Sequence, residues 1–157
     1  MILGIFSDTH DNLPQIVKAI KLFNRKKTGF VLHAGDFVAP FTIDKISKLS
    51  CEWLGVYGNN DGEKKGLREK SGGRIRKPPL RFKLGGRKIT VVHDQRSIDF
   101  IKERADLVIF GHSHHAELTR IGDKLIVNPG ECSGWLSGRS TVALVDLEKL
   151  TAKILKI

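Results

Sequence analysis

Cysteine is scarce in this 157-residue chain, which holds only Cys51 and Cys132. Two cysteines make no disulfide framework, so a reducing, cytoplasmic setting is expected. Long apolar runs are missing too: none approaches the ~18 residues needed to cross a membrane. The apolar start Met1–Phe6 meets Ser7-Asp8 too soon for a signal peptide, so no membrane association is expected. One Met and two Gln, beside heavy Lys/Arg usage, suit a thermophile. The absence of any Gly-Lys dipeptide excludes a Walker phosphate loop, and the absence of Gly-x-Ser-x-Gly excludes a serine nucleophile elbow. With no internal repeat and no linker, residues 1–157 are expected to form a single domain. That length can bury roughly 68–70% of its unfolded surface in one core.

Charge is present, but unevenly. Lys and Arg number 27 against 17 Asp and Glu, a net charge of +10. Between Lys64 and Lys88 there are eleven basic residues and a single acid, Glu69, while the rest of the chain holds sixteen of each sign. The excess belongs to one segment, which can attract phosphate-bearing partners or simply serve as a solvated face.

Hydrophobic periodicity gives the elements. An apolar strand, Met1 to Phe6, runs into a polar loop in which Asn12 is placed to cap a helix carrying Leu13, Ile16, Val17, Ile20 and Phe23. A strand at Phe30–Leu32, a short helix near Pro40–Leu49 and a strand near Trp53–Tyr57 continue an α/β rhythm. Ser71-Gly72-Gly73 and Pro78-Pro79 confine any helix in the basic segment to about Glu63–Lys70; a hairpin about Gly85-Gly86 follows, then a helix near Ile98–Arg104 and a strand at Leu107–Phe110. Two hairpin-like pairs, 116–128 and 141–157, close the chain.

Strand ends carry the chemistry. Asp8/His10, Asp36, Asn59, His93 and His112/His114 each follow an apolar strand. Ligands in open parallel α/β sheets bind at the carboxyl ends of strands, so these residues are expected along one edge of one sheet. Gly111-His112-Ser113-His114 adds a pair whose alternation on extended backbone would share a face. Carboxylate, carboxamide oxygen and imidazole together suit Mn, Fe, Co, Ni or Zn, and the thiolate pattern of structural zinc is missing. His33 reads as a buried histidine, His115 as turned away from His114, and Cys132 as a packed thiol.

The motifs Asp8-Thr9-His10, Gly35-Asp36, Gly58-Asn59-Asn60-Asp61, His93 and Gly111-His112-Ser113-His114, in that order, resemble the calcineurin-like metallophosphoesterases. Asn128-Pro129-Gly130 also matches, and the short length and Asn60 are similar to the small phosphodiesterase branch of archaea and bacteria. The resemblance implies an α/β fold, a two-sheet β-sandwich flanked by helices in four α/β/β/α layers. It implies two divalent metal ions, Mn²⁺ foremost, with Ni, Co, Fe or Zn as alternatives. One metal would be held by Asp8, His10, Asp36 and His114, the other by Asp36, Asn59, His93 and His112, with Asp36 bridging. A metal-bridging hydroxide would then attack a small phosphodiester in line, the paired dications sitting roughly 3.5–4 Å apart.

Two positions depart from the family pattern. Asn60 stands where a histidine is usual, with Asp61 expected to orient it; Asn60 and Asp61 are the candidate catalytic residues beside the metals. A carboxamide can donate a hydrogen bond but delivers no proton, so diesters with good leaving groups are the expected substrates. Asp94 stands where glycine is common and is expected to crowd or acidify the second metal site. Alternatives stay open: a non-catalytic interaction scaffold, as in the small retromer subunit that resembles this family, or a nuclease using the basic 64–88 segment on nucleic acid. Homodimer assembly is also left open.

Overall fold

The computed structural model describes residues 1–157. In chain order the elements are β1 (Ile2–Phe6), α1 (Leu13–Arg25), β2 (Phe30–His33), a 3-10 turn (Pro40–Thr42) leading into α2 (Ile43–Ile46), β3 (Glu52–Val56), α3 (Lys64–Lys70) and β4 (Ile75–Arg76). Then come β5 (Leu80–Leu84), β6 (Arg87–Val91), a 3-10 turn (Gln95–Ser97), β7 (Leu107–Ile109), β8 (Glu117–Ile121), β9 (Lys124–Asn128), β10 (Thr141–Asp146) and β11 (Thr151–Lys156).

The strands form two sheets, of order β11-β10-β1-β2-β3-β4 and β5-β6-β7-β9-β8. Within the first, β1 to β4 run parallel, with Leu3 opposite Phe30 and Phe30 opposite Glu52. Within the second, β6, β7 and β9 run parallel, with Ile89 opposite Leu107 and Leu107 opposite Leu125. Period-two alternation sorts each strand's side chains between layers. Leu3, Ile5, Leu32 and Val56 meet Ile89, Val91, Leu107 and Ile109 between the sheets. On the outer face of the first sheet, Phe6, Val31 and Trp53 meet the stripe Ile16, Ala19, Ile20 and Phe23 of α1. The two-sheet sandwich flanked by helices is therefore the observed fold, and no helix is long and apolar enough to cross a membrane.

Local chemistry explains the boundaries. Asn12 caps α1 by accepting from the Gln15 backbone N–H at 3.4 Å, as expected. The helix expected near Ile98–Arg104 does not form. A single turn forms instead: Asp99 Oδ1 accepts from the N–H groups of Ile101 and Lys102 and the Asp99 carbonyl accepts from Glu103 N–H at 2.9 Å, but the turn is not propagated. The segment stays an irregular cover in which Phe100 packs on Phe110, ring centroids 5.5 Å apart. The two-residue β4 was not foreseen; it pairs with Gly55 and Val56 and places the basic segment beside the end of β3.

Candidate metal centre

The strand ends converge, but not along one edge of one sheet. Asp8, His10, Asp36 and Asn59 follow β1, β2 and β3 of the first sheet, whereas His93, His112 and His114 follow β6 and β7 of the second. Because β1–β3 and β6–β7 are parallel sets with their carboxyl ends at the same end of the sandwich, seven side chains meet between two sheets. Cross-loop hydrogen bonds fix the meeting. Asp8 N–H donates to the Gly35 carbonyl at 3.0 Å, Thr9 N–H to the Asp36 carbonyl at 3.1 Å, and Gly111 N–H to the His93 carbonyl at 3.0 Å.

Five of these residues occupy the left-handed backbone region: Asp8, His10, Asp36, His112 and His114 have φ of 53°, 39°, 63°, 68° and 61°. Such conformations cost on the order of 1–3 kcal/mol each and persist where surrounding contacts enforce them. The same dihedrals overturn the expectation that His112 and His114 share a face on extended backbone. His114 Nε2 lies 3.5 Å from Asp8 Oδ1, while His112 Nδ1 turns to Asn59 Oδ1 at 2.9 Å.

Two clusters result. Asp8, His10 and His114 bring ligand atoms within 4.8 Å of one another, as do Asp8, Asp36 and His93. Asp36 Oδ2 stands between them, 3.7 Å from His10 Nε2 and 3.4 Å from His93 Nε2. Asn59 Oδ1 joins the second cluster 2.8 Å from His93 Nε2. Gly58 makes this approach feasible, because a Cβ there would collide with the Asp36 carboxylate and its backbone nitrogen.

The donor set fits cations. Asp8 and Asp36 are buried carboxylates, and Asp8 Oδ1 and His10 Nε2 are buried without a hydrogen-bond partner. Such groups are costly unless something charged pairs with them. His93 sharpens the point. Its Nδ1 donates to the Ala34 carbonyl at 2.8 Å, so the Nε2 lone pair faces the Asn59 and Asp36 oxygens. Three lone-pair-bearing atoms converge there, a geometry that a cation or a proton resolves.

Electrostatics agree with that picture. Burial raises the Asp8 carboxyl above its ordinary value, against the Ser7 hydroxyl and the charges of His93 and His114. Burial acts on Asp36 in the same sense, but His93 and the Asn60 donors outweigh it and hold the carboxyl well below the usual range. Burial alone would lower His93; Asp36 reverses the balance and raises it.

The remaining sequence candidates have distinct positions. Asn60 donates its backbone N–H to Asp36 Oδ1 at 2.8 Å and its carboxamide N–H to Oδ2 at 2.7 Å. Asp61 does not orient the Asn60 side chain. It is buried and accepts from the backbone N–H groups of Gly58, Asp36 and Val38 at 2.7, 3.2 and 2.8 Å, holding two strand-end loops together. Asp94 lines the same cavity as Asn59, His93 and His112, and it pairs with Arg96 at 2.7 Å, which pulls its carboxyl down to about 2. His33 is buried and neutral, its Nδ1 accepting from Gly35 N–H and its Nε2 bonded to Thr9 Oγ1 at 3.0 Å. His115 bonds its own loop through the Ser113 carbonyl, and burial pushes the Cys132 thiol far up.

Sequence reasoning missed Glu131 and Trp135. Glu131 is fully buried, its Oε1 3.4 Å from His114 Nδ1. Burial works against its charge, but the Ser137 N–H at 2.8 Å, the Ser133 hydroxyl at 2.7 Å and the Leu136 N–H bring it down to about 2. The only signal was an acid directly after Asn128-Pro129-Gly130. Trp135 donates its indole N–H to the His10 carbonyl at 3.3 Å and leaves most of the ring exposed at the rim.

The pattern of the calcineurin-like phosphoesterase superfamily domain matches residues 1–150. The chain belongs to that superfamily. A phosphodiesterase of Methanocaldococcus jannaschii is 38% identical, spanning 95% of each chain. A probable metallophosphoesterase of Methanothermobacter thermautotrophicus is 27% identical, spanning 99% of this chain and 92% of the other. A solved archaeal phosphodiesterase superposes with a TM-score of 0.92 at 36% identity, covering 100% of both chains. Vps29 of Entamoeba histolytica shares the fold, with a TM-score of 0.71 at 19% identity over 100% of this chain and 99% of that one. As a calcineurin-like phosphoesterase the chain is a metal-dependent hydrolase, and the clusters just described are its candidate ligand groups.

Proposed function

We propose that this calcineurin-like phosphoesterase is a binuclear, divalent-metal-dependent phosphodiesterase, its 157 residues one catalytic domain. The observation that carries the reading is Asp36 Oδ2 lying between His10 and His93, with Asp8 Oδ1 and His10 Nε2 buried and unpartnered beside it. Asp8, His10, Asp36 and His114 would hold one cation, and Asp36, Asn59, His93 and His112 the other. Bound there, the two cations would acidify a water near neutral pH and polarise phosphoryl oxygens.

The chain's own residues do the rest. The Ala34 carbonyl keeps the His93 proton on Nδ1, so Nε2 faces the centre with its lone pair. Buried Glu131 beside Nδ1 of His114 favours a proton there and leaves Nε2 directed to Asp8. Asn60 presents a neutral carboxamide donor at Asp36 Oδ2; it can steady a phosphoryl oxygen but supplies no proton to a leaving group. That supports diesters with competent leaving groups over alkyl monoesters.

Metal analysis with turnover of bis(p-nitrophenyl) phosphate under Mn²⁺, Ni²⁺, Co²⁺ or Zn²⁺ tests the reading, run beside Asp36→Ala. Wild-type protein is expected to bind two ions per chain, and the variant to lose at least about a hundredfold in activity. Absence of metal binding and of turnover would leave the scaffold reading instead.

A further inference from the structure

The basic segment is not a uniform coat. Of its cations, Lys70 pairs with Asp44, Arg74 with Glu52 and Arg81 with Glu103, while Arg87 donates to the Leu147 and Glu148 carbonyls. Lys64, Lys65, Arg68, Arg76 and Lys77 have no carboxylate partner, and all five line one cavity of about 640 Å³. A second cavity, of about 560 Å³, is lined by Asn59, His93 and His112 of the candidate centre. Tyr57, Lys64 and Lys77 belong to both, so the two are adjacent and open onto each other's walls. The arrangement follows from the fold: α3 carries Lys64, Lys65 and Arg68 as exposed side chains beside the end of β3, and β4 brings Arg76 next to β3, whose end leads to Asn59.

We infer that the cavity lined by Lys65, Arg68 and Arg76 is a subsite for a second phosphate, so that the substrate is a small phosphodiester bearing at least one further phosphate group. This rests on the phosphodiesterase reading of the centre. Five unneutralised cations around one concavity, with no acid among its lining residues, form a field that a second dianion answers and a bare diester does not. The only acid in the adjoining cavity, Asp94, is already paired with Arg96. Rings for stacking a run of bases are missing: Tyr57 is buried, its hydroxyl donates to the Lys64 carbonyl, and the Lys64 ammonium stands 5.9 Å from its ring centroid. The exposed indole of Trp135 lies by His10 instead, outside both cavities, enough for one aromatic group rather than a strand.

The test compares two chromogenic diesters, the p-nitrophenyl ester of thymidine monophosphate and its counterpart carrying a second phosphate on the sugar. Wild-type kcat/KM should favour the second, and Lys65→Gln/Arg68→Gln/Arg76→Gln should cut that preference by about tenfold, chiefly through KM. Loss of both activities in equal proportion, or of neither, overturns the subsite. Direct titration with inorganic tripolyphosphate reads the subsite without turnover: wild type should bind and the triple variant should bind about tenfold more weakly. Equal binding by the two proteins sinks the inference even if the phosphodiesterase reading stands. Binding without any diester turnover would instead fault that reading alone. An oligothymidylate cleaved with a larger variant effect than the bisphosphate would overturn the small-molecule assignment in favour of nucleic acid. All three substituted side chains are exposed, and matching thermal melts establish that the variant is folded.

Discussion

Asn60 grips both oxygens of Asp36, through its backbone N–H at 2.8 Å and its carboxamide at 2.7 Å. The residue thus occupies the position where the family pattern has a histidine, next to the carboxylate proposed to bridge two cations. A carboxamide is a donor of fixed protonation, so turnover should depend steeply on how good the leaving group is. Asn60→His should flatten that dependence and raise kcat/KM on phenyl phosphate by about tenfold or more, within the range that general acids supply. The measurement is a leaving-group series of aryl diesters and monoesters on both proteins. Parallel slopes would remove Asn60 from leaving-group control.

Glu131 should govern the His114 side of the centre. Glu131→Gln places an amide where backbone N–H groups of Leu136 and Ser137 now donate, so the loop loses charge-assisted bonds. Its cost is about 1–3 kcal/mol of unfolding free energy, with metal affinity down about tenfold to a hundredfold. Urea unfolding and metal titration read the two effects separately. Unchanged metal affinity would show that Glu131 holds the loop without touching the histidine's role.

The backbone around Asp36 is built with no room for a methyl group. Gly58→Ala would drive a Cβ into the Asp36 carboxylate and its backbone nitrogen, whereas Gly62, four residues on, has nothing within 4 Å. Gly58→Ala is therefore expected to cut metal affinity by at least about tenfold, and Gly62→Ala to leave it unchanged. Isothermal titration with Mn²⁺ on both variants decides it. Similar affinities in the two would mean that the loop gives way cheaply.

How much of this was readable in advance depended on the range of the interaction. Asp8, His10, Asp36, Asn59, His93, His112 and His114 stood out because each follows an apolar strand, a local signal. Their partition between two sheets did not, because whether β3 pairs with β4 or with β6 is decided by long-range burial, not by residues near the turn. Alternation misjudged His112 and His114 because both are left-handed, a conformation imposed by contacts such as the His112 N–H to Asp8 Oδ2 bond at 3.2 Å. Asp61 reads in sequence as the residue that orients Asn60, yet its lone pairs are spent on backbone N–H groups that only the folded loops bring near. Ile98–Arg104 forms only one turn, capped by Asp99 and closed by the Glu103 N–H to the Asp99 carbonyl; a nucleus that short gains too little to propagate.

The Glu103 carboxylate gives a pH prediction away from the metal centre. Glu103 accepts from Arg81 at 2.9 and 2.8 Å and from Thr90 at 3.0 Å, and the Arg81 bond foremost lowers its carboxyl below the ordinary 4.5. A depressed folded value means the stabilisation is complete above the unfolded value and is lost as pH falls through the folded one. Wild type should exceed Glu103→Gln by about 1 kcal/mol at neutral pH, a modest figure because Arg81 is half exposed. The gap should close as pH drops below 4.5. Urea midpoints for both proteins across that range measure it. A gap that persists at low pH would assign the stabilisation to packing.

Salt should reveal whether the five cations without carboxylate partners act on catalysis at a distance. Lys64 and Lys77 line the cavity that reaches Asn59, His93 and His112, so an approaching anion feels them before it meets the centre. Screening shortens that reach to about 8 Å at physiological ionic strength. With metal held saturating, kcat/KM for an anionic diester should fall about threefold to tenfold as KCl rises from about 0.05 to about 0.5 M. Lys64→Gln/Lys77→Gln should start lower and fall less, because less attraction remains to be screened. kcat at saturating substrate should stay level in both, since steering changes encounter rather than the chemical step. A wild-type rate indifferent to salt would reduce Lys64 and Lys77 to solvated surface, whatever the deeper cavity binds.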